Sequence, residues 1–487
     1  DLVRSRGLGD VYKRQTWGYH ASEPGVETPG YFHFIPPGQG FGFSKGIISG
    51  RTPRAATGMS PFRVPVRTRQ AGRPALNPPP GSFMTADSPN RPPVPRSLIV
   101  AMLLQYGVAG AVFPFIALLF RDRGLNFTEV SHIFAAVAAA LLFFPFFWGM
   151  LADRFIPLNR LFIVLNGLIA GLLLVFSLQS SFVGMLPAFV AFAVCCNPSM
   201  ILLNPLCFHF LENPRTQFGR LRAWGSLGWI LPSIVIYVWL LWRPGTDLVF
   251  TVHLGIVLAV VMAGVSFRLP HLPPGALHVG PAHAPGLTYL ESVKRLLRNG
   301  GYVTAIAVYF LVASSFAIQG IYAGPLLEDA GLAREWIGPS QCIGVLVEIA
   351  LFLWQGKLLS RLSIANTILV GIGAMVVRHL IYWLSDDLWL LVASHALTGV
   401  VIVYHHIGIS ILINAIAPRE VRSTAQTLMI LVGSGLGPML TNLGVGWIAA
   451  STGQNLRMVF AFATGLAVLG GLLLITRAKK LNAAVAT

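Results

Sequence analysis

Three ionisable side chains stand inside three successive apolar stretches: Glu348 in WIGPSQCIGVLVEIALFLWQG, Arg378 in GAMVVRHLIYW and His395 in LLVASHALTGVVIVYHH. An ionisable group in hydrocarbon costs on the order of 2.5 to 3.5 kcal/mol, so it normally faces a cavity or a partner. In helices, their positions fall within one to two turns of one another in depth. Burial disfavours an ionised carboxylate and a nearby guanidinium favours it, so such a set can take up and release a proton. We predict that Glu348, Arg378 and His395 carry proton coupling.

The same residues also fit a purely structural role. Glu348 and Arg378 could form a static pair that fixes helix packing. A lone histidine such as His395 can simply be a hydrogen-bonded core residue. His405 and His406 lie close to the end of their stretch, which favours the structural interpretation for both.

A second set of side chains in the apolar stretches is polar but uncharged. Its members are Gln105, Tyr106, Asn166, Asn197, Asn204, Ser315, Gln319, Tyr322 and Gln341. Amides, hydroxyls and phenols donate and accept hydrogen bonds without requiring charge, so they suit a hydroxyl-bearing or heterocyclic solute. We predict that these residues bind substrate, although aromatic side chains in membrane helices more often serve packing.

Charged residues also mark two turns. GMLADRF contains Gly149, Asp153 and Arg154 after the second apolar stretch, and Arg222 comes just before the fifth. A charge pair at such a turn can hold a neighbouring helix and stabilise one of two conformations. We predict a gating role for these four residues. The alternatives are a turn with a topology-setting arginine and, for Arg222, an anchor at the membrane interface.

Motifs for metal binding or catalysis do not accompany these residues. The four cysteines have no C-x-x-C spacing, and the histidines between 271 and 283 have no converging cysteine or carboxylate. H-E-x-x-H and G-x-S-x-G are absent from the sequence, and GSGLGP lacks the lysine of a phosphate loop. We predict no metal, no cofactor and no enzyme activity.

The elements that must position these residues follow from composition. The 487-residue chain is 54% hydrophobic and 11% charged, whereas soluble domains are typically about 25% charged. Apolar runs of about 20 residues match an α-helix that crosses the hydrocarbon core. The formal charge of +17 lies largely in short loops, without an RNA-binding or helix-turn-helix signature. We predict an all-α integral membrane protein that contacts the lipid bilayer and binds no nucleic acid.

Twelve apolar runs can be read between the charged and turn-rich segments. They cover residues 97-120, 131-151, 161-178, 182-203, 224-241, 248-267, 302-325, 336-356, 364-384, 388-413, 425-447 and 456-475. Most loop lysines and arginines fall on the side of the chain termini, which predicts that both termini are cytoplasmic. The predicted location is the inner (plasma) membrane of a bacterium, with multiple passes.

The runs divide into two pseudo-symmetric six-helix bundles, 96-267 and 302-480, joined by a central cytoplasmic loop, 268-301. GMLADRF in the first bundle and GKLLSRL in the second share the frame Gly-x-Leu-x-x-Arg. Duplicated halves around a central site are typical of secondary transporters. Residues 1-95 form a predicted disordered or spurious N-terminal extension, because residues 5-15 read as a translated sequencing adapter; Met84 is a candidate start.

Over residues 96 to 480 the chain resembles the major facilitator superfamily, with GMLADR as the signature after the second helix. LNPLCFHFLENPRTQFGRLRAWGSLGWI and LPHLPP resemble the nucleoside:proton symporter family, which is related to the phenylpropionate permeases and lactose permease. The resemblance implies that Glu348 is the proton or substrate carboxylate, Arg378 its modulator and His395 a relay or substrate ligand. Thr398 and Val345 depart from the patterns of lactose permease and the nucleoside symporters, which leaves the substrate open.

The predicted function is proton-coupled uptake of a neutral polar small molecule, with nucleosides first, by alternating access in a monomer. The nearest alternative is a uniporter or exporter of sugars, aromatic acids or drug-like solutes on the same fold. A membrane-embedded enzyme or a non-transporting receptor is a remote alternative, because fold alone does not settle function.

Overall fold

The computed structural model describes residues 95–211, 214–275, 288–358 and 362–486, and all regular structure in these ranges is helical. The prediction of an all-α protein is therefore confirmed. The predicted N-terminal extension and part of the predicted central loop lie outside the described residues.

The helices that precede the central loop form what we call the first half, and those that follow it form the second half. The first half consists of α1 (Arg96–Asp122), α2 (Phe127–Arg154), α3 (Leu158–Ser177), α4 (Phe182–Phe210), α5 (Pro214–Trp242) and α6 (Val249–Ser266). A short helix, α7 (Tyr289–Leu297), comes next. The second half consists of α8 (Gly300–Asp329), α9 (Ile337–Leu358), α10 (Ile364–Leu384), α11 (Leu388–Ile416), α12 (Arg419–Ser451) and α13 (Leu456–Ala486).

Eleven helices in the described ranges are long and apolar enough to cross a membrane. α9, with 22 residues, occupies the place of the predicted eighth span. The chain is therefore a multi-pass membrane protein, while a count of twelve crossings and the symmetry of the halves stay predictions. Two boundaries differ clearly. α5 begins at Pro214 rather than near 224, because its basic stretch belongs to the helix and not to a loop, and α13 ends at Ala486 rather than near 475.

Several helices change geometry along their length. α1 is interrupted at Pro114 and α2 just before Pro145, where the proline ring removes a backbone donor. α11 and α12 contain π-helical turns at Val401–His406 and Leu431–Leu436. Such turns are frequent at functional sites because they re-aim side chains within a helix.

Small residues set the closest helix contacts within the first half. α1 packs on both α5 and α6. A Cβ added at Gly110 would lie only 2.5 Å from the carbonyl oxygen of Trp229, and Gly228 faces the backbone of Leu103 just as closely. Without a hydrophobic drive between helices in lipid, this close backbone approach is a main source of packing energy. It fixes α5 against α1.

Two glycines likewise bring α9 and α11 together in the second half. A Cβ at Gly344 would lie 2.8 Å from the carbonyl oxygen of His395, and one at Gly399 would lie 2.5 Å from the backbone nitrogen of Glu348. Side chains at either glycine would force the helices apart. The packing therefore holds Glu348 directly against α11.

The two halves meet toward the end of the bundle at which α1 finishes, which we call the far end; the opposite end is the terminal end. α2 packs on α12, α5 on α9, and α1 on α8. Gly446 faces Ser131, and Gly338 faces Ser233, so small residues again allow close contact. One apolar core runs through the first half into the far-end part of the second half, while a separate core fills the second half's terminal end.

Ion pairs between the halves add to the closure of the far end. Arg121 pairs with Glu328 and with Asp329, the latter at 2.5 Å. Arg334 donates two hydrogen bonds to Asp122, at 2.6 and 2.7 Å, and also pairs with Glu328. We call these five residues the far-end charge cluster. They link α1 to α8 and to the turn before α9.

Candidate functional site

Glu348 is the buried carboxylate of the second half. Its side chain is 0% exposed, and neither carboxylate oxygen has a hydrogen-bond partner among the described residues. Within the same ranges no arginine, lysine or histidine lies within ion-pair distance of it. A carboxylate without a partner in a water-poor interior is costly. A bound proton or a ligand would relieve that cost.

The charge that acts on Glu348 is that of Arg222, in α5 of the first half. Arg222 is 5% exposed, its guanidinium carbon lies 4.1 Å from the centre of the Tyr106 ring, and its Nη1 has no hydrogen-bond partner within the described ranges. Because α5 begins at Pro214, Arg222 lies about two turns inside a helix. An ionised Glu348 is thus attracted to Arg222 across the interface between the halves, without a direct ion pair.

Arg378 has its partners within its own half. It donates to the hydroxyl of Thr398 and, at 3.0 Å, to Nδ1 of His395. Its guanidinium carbon lies 5.3 Å from the centre of the Tyr382 ring. The expected pairing of Arg378 with Glu348 does not occur among the described ion pairs, because α11 supplies Arg378 with closer acceptors.

His395 lies between two residues of α10. Since arginine can only donate, Nδ1 of His395 is the acceptor from Arg378, and the proton of the neutral ring is on Nε2. Nε2 then donates to the Tyr382 hydroxyl at 2.8 Å. The three side chains form a closed hydrogen-bonded unit that ties α10 to α11.

The amides predicted for the first half are buried and only partly paired. Asn166 donates to Gln105 at 3.1 Å, and Asn197 donates to the backbone of Ala193 at 3.0 Å. Within the described ranges, the amide nitrogen of Gln105 and the amide oxygens of Asn166 and Asn204 have no partner. Both donors and acceptors therefore remain for a ligand.

The three predicted substrate-binding residues of α8 divide into two groups. Ser315 donates to the backbone of Ala463 and contacts Nδ1 of His379, and Tyr322 donates to Asn442 at 3.3 Å, so both have partners in helix packing. Gln319 donates to Thr398 at 3.4 Å and keeps an amide oxygen without a partner in the described structure. The placement of Gln319 beside the Arg378 unit joins it to the site.

The four residues predicted for gating are not brought together. Gly149, Asp153 and Arg154 lie in the last turns of α2 at the terminal end, with Arg154 exposed. Arg222 is instead part of the buried site. Gln341, predicted to bind substrate, donates to the backbone of Pro114 at 3.5 Å and so spans the two halves.

Sequence reasoning missed the electrostatic effect of Arg222 on Glu348 and the hydrogen bond of Tyr382 to His395. The signal for Arg222 was its helix-compatible flank, GRLRAWGSLG, which was interpreted as the lead-in to a span rather than part of one. Tyr382 follows Arg378 by one helical turn, a spacing that places both on one face.

His405, for which the sequence favoured a structural role, is buried and stacked on Tyr309 inside a π-helical turn. It is therefore a core residue.

The described residues contain no group of three or more His, Cys, Asp or Glu side chains that could hold a metal ion. The four cysteines are buried and unpaired. The arrangement can therefore bind by hydrogen bonds, ring contacts and one pair of opposite charges.

Comparison with known proteins gives related transporters. The chain is 26% identical over 357 residues to the putative nucleoside transporter YegT of Escherichia coli, which covers 70% of this chain and 80% of that protein. Nucleoside permease NupG of Escherichia coli is 20% identical over 344 residues, with 67% and 81% covered. The crystal structure of NupG matches with a TM-score of 0.70 at 18% identity, over 80% of this chain and 100% of that chain.

A peptide transporter of the POT family, PepTSo, also shares the fold, with a TM-score of 0.64 at 12% identity over 81% of this chain. The model of the MFS_1 like family matches residues 96–462. The resemblance to the major facilitator superfamily is thereby confirmed. Because the match covers most of the chain, the protein belongs to the MFS_1 like family and is a multi-pass membrane transporter, not an enzyme.

Proposed function

We propose that this protein is a proton-coupled nucleoside transporter in which Glu348 and Arg222 form the central site. The observation that carries the proposal is the electrostatic attraction between Arg222 and Glu348, one from each half, while both carboxylate oxygens of Glu348 and Nη1 of Arg222 have no hydrogen-bond partner in the described structure. These unpaired groups suit a ligand that accepts a hydrogen bond from the guanidinium of Arg222 and donates one to the carboxylate of Glu348. The names of the relatives YegT and NupG support nucleosides as that ligand.

A nucleoside carries both the hydrogen-bond donors that Glu348 needs and the acceptors that Arg222 needs. Its ribose hydroxyls donate to a carboxylate such as Glu348, and its base carbonyl or ring nitrogen accepts from Arg222. The Tyr106 ring, held beside Arg222, offers a face for stacking on the base. The unpaired amide nitrogen of Gln105 and the unpaired amide oxygen of Gln319 supply further polar contacts from the two halves.

Proton coupling in this proposal depends on the position of the two charges. When Glu348 is ionised, its attraction to Arg222 favours the arrangement in which the halves approach at the site. When Glu348 takes up a proton, that attraction is lost and the halves separate more easily. A proton and a nucleoside together thus change the energy of moving between two access states.

In this conformation the halves are closed at the far end, so in the proposal substrate reaches the site from the terminal end. The far-end charge cluster and the contacts Ser131–Gly446 and Ser233–Gly338 hold the halves together at that end. We place both termini in the cytoplasm, so this conformation faces inward. Reporter fusions at both termini test the orientation: cytoplasm-active reporters must be active and export-dependent reporters inactive.

Arg378 and His395 act as positioning residues in this proposal. In their unit with Tyr382, Arg378 donates to the hydroxyl of Thr398. The next residue, Gly399, packs against the backbone of Glu348. The unit therefore fixes the depth and direction of Glu348 on the second half.

The test is uptake of labelled uridine and adenosine into proteoliposomes, driven by a pH gradient. Glu348→Gln keeps the shape of the side chain but cannot release a proton, so gradient-driven accumulation falls at least tenfold. Exchange of internal for external uridine at equal pH needs no net proton movement and is retained. Glu335→Gln, in the turn before α9, is the matched control and keeps both activities. Equal gradient dependence in wild type and Glu348→Gln would refute the coupling role.

A further inference from the structure

The short helix α7 carries two apolar faces instead of one. A capping box at Thr288 and Glu291 begins it, and Ser292 and Leu296 are buried against the second half. With 100° between successive residues, Leu290 and Leu297 project about 130° away from that buried face, and they are 61% and 58% exposed. This second face has no covering helix in the described structure.

Basic side chains border the exposed apolar face. Lys294 and Arg298 follow it around the helix, and both are exposed. An apolar arc beside a basic arc is the pattern of a helix that lies in the membrane interface, with leucines among the acyl chains and cations among the headgroups. In water, the same arc would expose two leucines without gain.

Four contacts fix α7 beside the ends of neighbouring spans. Asn299 accepts from the backbone nitrogens of Gly301 and Tyr302 at 3.0 and 3.2 Å, so the chain turns there and α7 does not continue α8. The Asn299 amide also donates to the backbone of Ile416 at the end of α11, at 3.3 Å. Arg295 lies 3.6 Å from Glu420 at the start of α12. The helix is thus held next to the ends of α11 and α12.

We propose that α7 is a lipid-binding element: Leu290 and Leu297 enter the bilayer interface, and Lys294 and Arg298 bind the headgroups of anionic phospholipids. Charge decides the class of ligand, because Lys294 and Arg298 lie along one side of the apolar arc and outnumber the exposed Glu291 beside Arg298. Arg295 does not take part, since it faces Glu420. The proposal is independent of what the transporter carries.

The first experiment locates the helix by spin labelling in vesicles of three parts phosphatidylcholine and one part phosphatidylglycerol. The native cysteines are buried, so labels at Leu290→Cys, Leu297→Cys and Lys294→Cys are selective, and wild type treated alike gives the background. Labels at 290 and 297 should collide more with oxygen than with a water-soluble nickel chelate, and the label at 294 should show the reverse. Equal access of the chelate to all three places α7 in water, or 290 and 297 shielded from both reagents place it under another protein segment; either overturns the proposal.

The second experiment measures the choice of headgroup. A fluorophore on Leu290→Cys is quenched by brominated phosphatidylglycerol or by brominated phosphatidylcholine, and the two curves give a relative binding constant. Each basic residue near an anionic surface contributes about a fivefold preference. Lys294→Gln with Arg298→Gln should bring the preference close to one, whereas the charge-conserving exchange Lys294→Arg with Arg298→Lys should keep it. An unchanged preference in the glutamine variant overturns the assignment of these residues to anionic headgroups.

Discussion

Two sets of buried charged groups are arranged in opposite ways. In the second half, Arg378, His395 and Tyr382 are hydrogen-bonded to one another, with only Nε of Arg378 left without a partner in the described structure. Glu348 in the same half has no such partner among the described residues, and the charge that acts on it, Arg222, belongs to the first half. A unit whose hydrogen bonds all lie within one half moves together with that half. A charge whose counterpart lies in the other half changes its energy whenever the halves move.

The comparison separates residues that sense the arrangement of the halves from residues that hold one half together. Both kinds are buried and ionisable, so the sequence alone gives them the same appearance. They differ in what a substitution removes. Loss of a sensing residue should change transport with little loss of stability, and loss of a holding residue should do the reverse.

Arg222→Gln is expected to have the largest effect on transport. It removes the opposite charge that attracts Glu348 across the interface, an interaction of about 0.5 to 3 kcal/mol for residues that act on each other. If most of this appears in transport, the kcat/KM for uridine falls by up to about a hundredfold. Uptake kinetics in proteoliposomes measure it, with Arg222→Lys, which keeps the charge, as the control. Normal kcat/KM with a lowered melting temperature would assign Arg222 to the holding class.

Arg378→Met is expected to act on stability first. It removes the donor to His395 and Thr398, and it leaves buried acceptors unpaired at about 1 to 3 kcal/mol each. Thermal unfolding of the purified protein should show a clear loss, while the stabilisation that saturating uridine adds is kept. Tyr382→Phe removes one hydrogen bond of the same unit and should cost about 1 kcal/mol. Loss of the uridine effect with unchanged thermal stability would contradict the holding role.

A double-mutant cycle sharpens the distinction between the two arginines. Uridine exchange at equal pH is measured for Glu348→Gln combined either with Arg222→Gln or with Arg378→Gln. Residues that act on each other directly show coupling of about 0.5 to 3 kcal/mol, whereas independent sites add within about 0.5 kcal/mol. We expect coupling of 1 kcal/mol or more for the Arg222 pair and additivity for the Arg378 pair. The opposite pattern would restore the pairing of Arg378 with Glu348 that the sequence suggested.

Much of the fold could be predicted because membrane spans are set by length and hydrophobicity, which are local properties. The same rule found Glu348, since a carboxylate in an apolar run stands out. It failed at α5, where the basic residues from 215 to 222 resembled a loop although they lie in the helix. This misplaced helix start had a further consequence, because it hid the position of Arg222 within the buried site.

The partner of each buried charge could not be predicted, because partners depend on which helices pack together. Arg378, His395 and Glu348 have similar depths, so depth favoured a shared cluster. The structure makes Arg378 and His395 hydrogen-bond partners and leaves Glu348 outside that unit, although Gly344 and Gly399 bring its helix against α11. Small residues in a membrane helix indicate close packing, but they do not name the helix that packs there.

The far-end charge cluster provides the smallest expected effect. Its ion pairs are partly exposed, and such pairs contribute about 0.2 to 1 kcal/mol each. Arg121→Gln with Arg334→Gln should therefore raise the population open at the far end by a few fold. The measure is Ser233→Cys, buried against Gly338: a membrane-impermeant maleimide applied at the far end should label it about two to five times faster in the variant.

A pair that lies within one half supplies the control for this last comparison. Arg123 pairs with Asp247 at 2.9 Å at the same end, but both belong to the first half. Its loss removes a similar exposed ion pair without releasing the second half, so Arg123→Gln should leave the labelling rate of Ser233→Cys unchanged. High salt should speed labelling in the parent more than in Arg121→Gln with Arg334→Gln, because it screens pairs that the variant already lacks. Equal acceleration by Arg123→Gln would mean that the far end responds to local loosening, and that pairs between the halves have no special part in closing it.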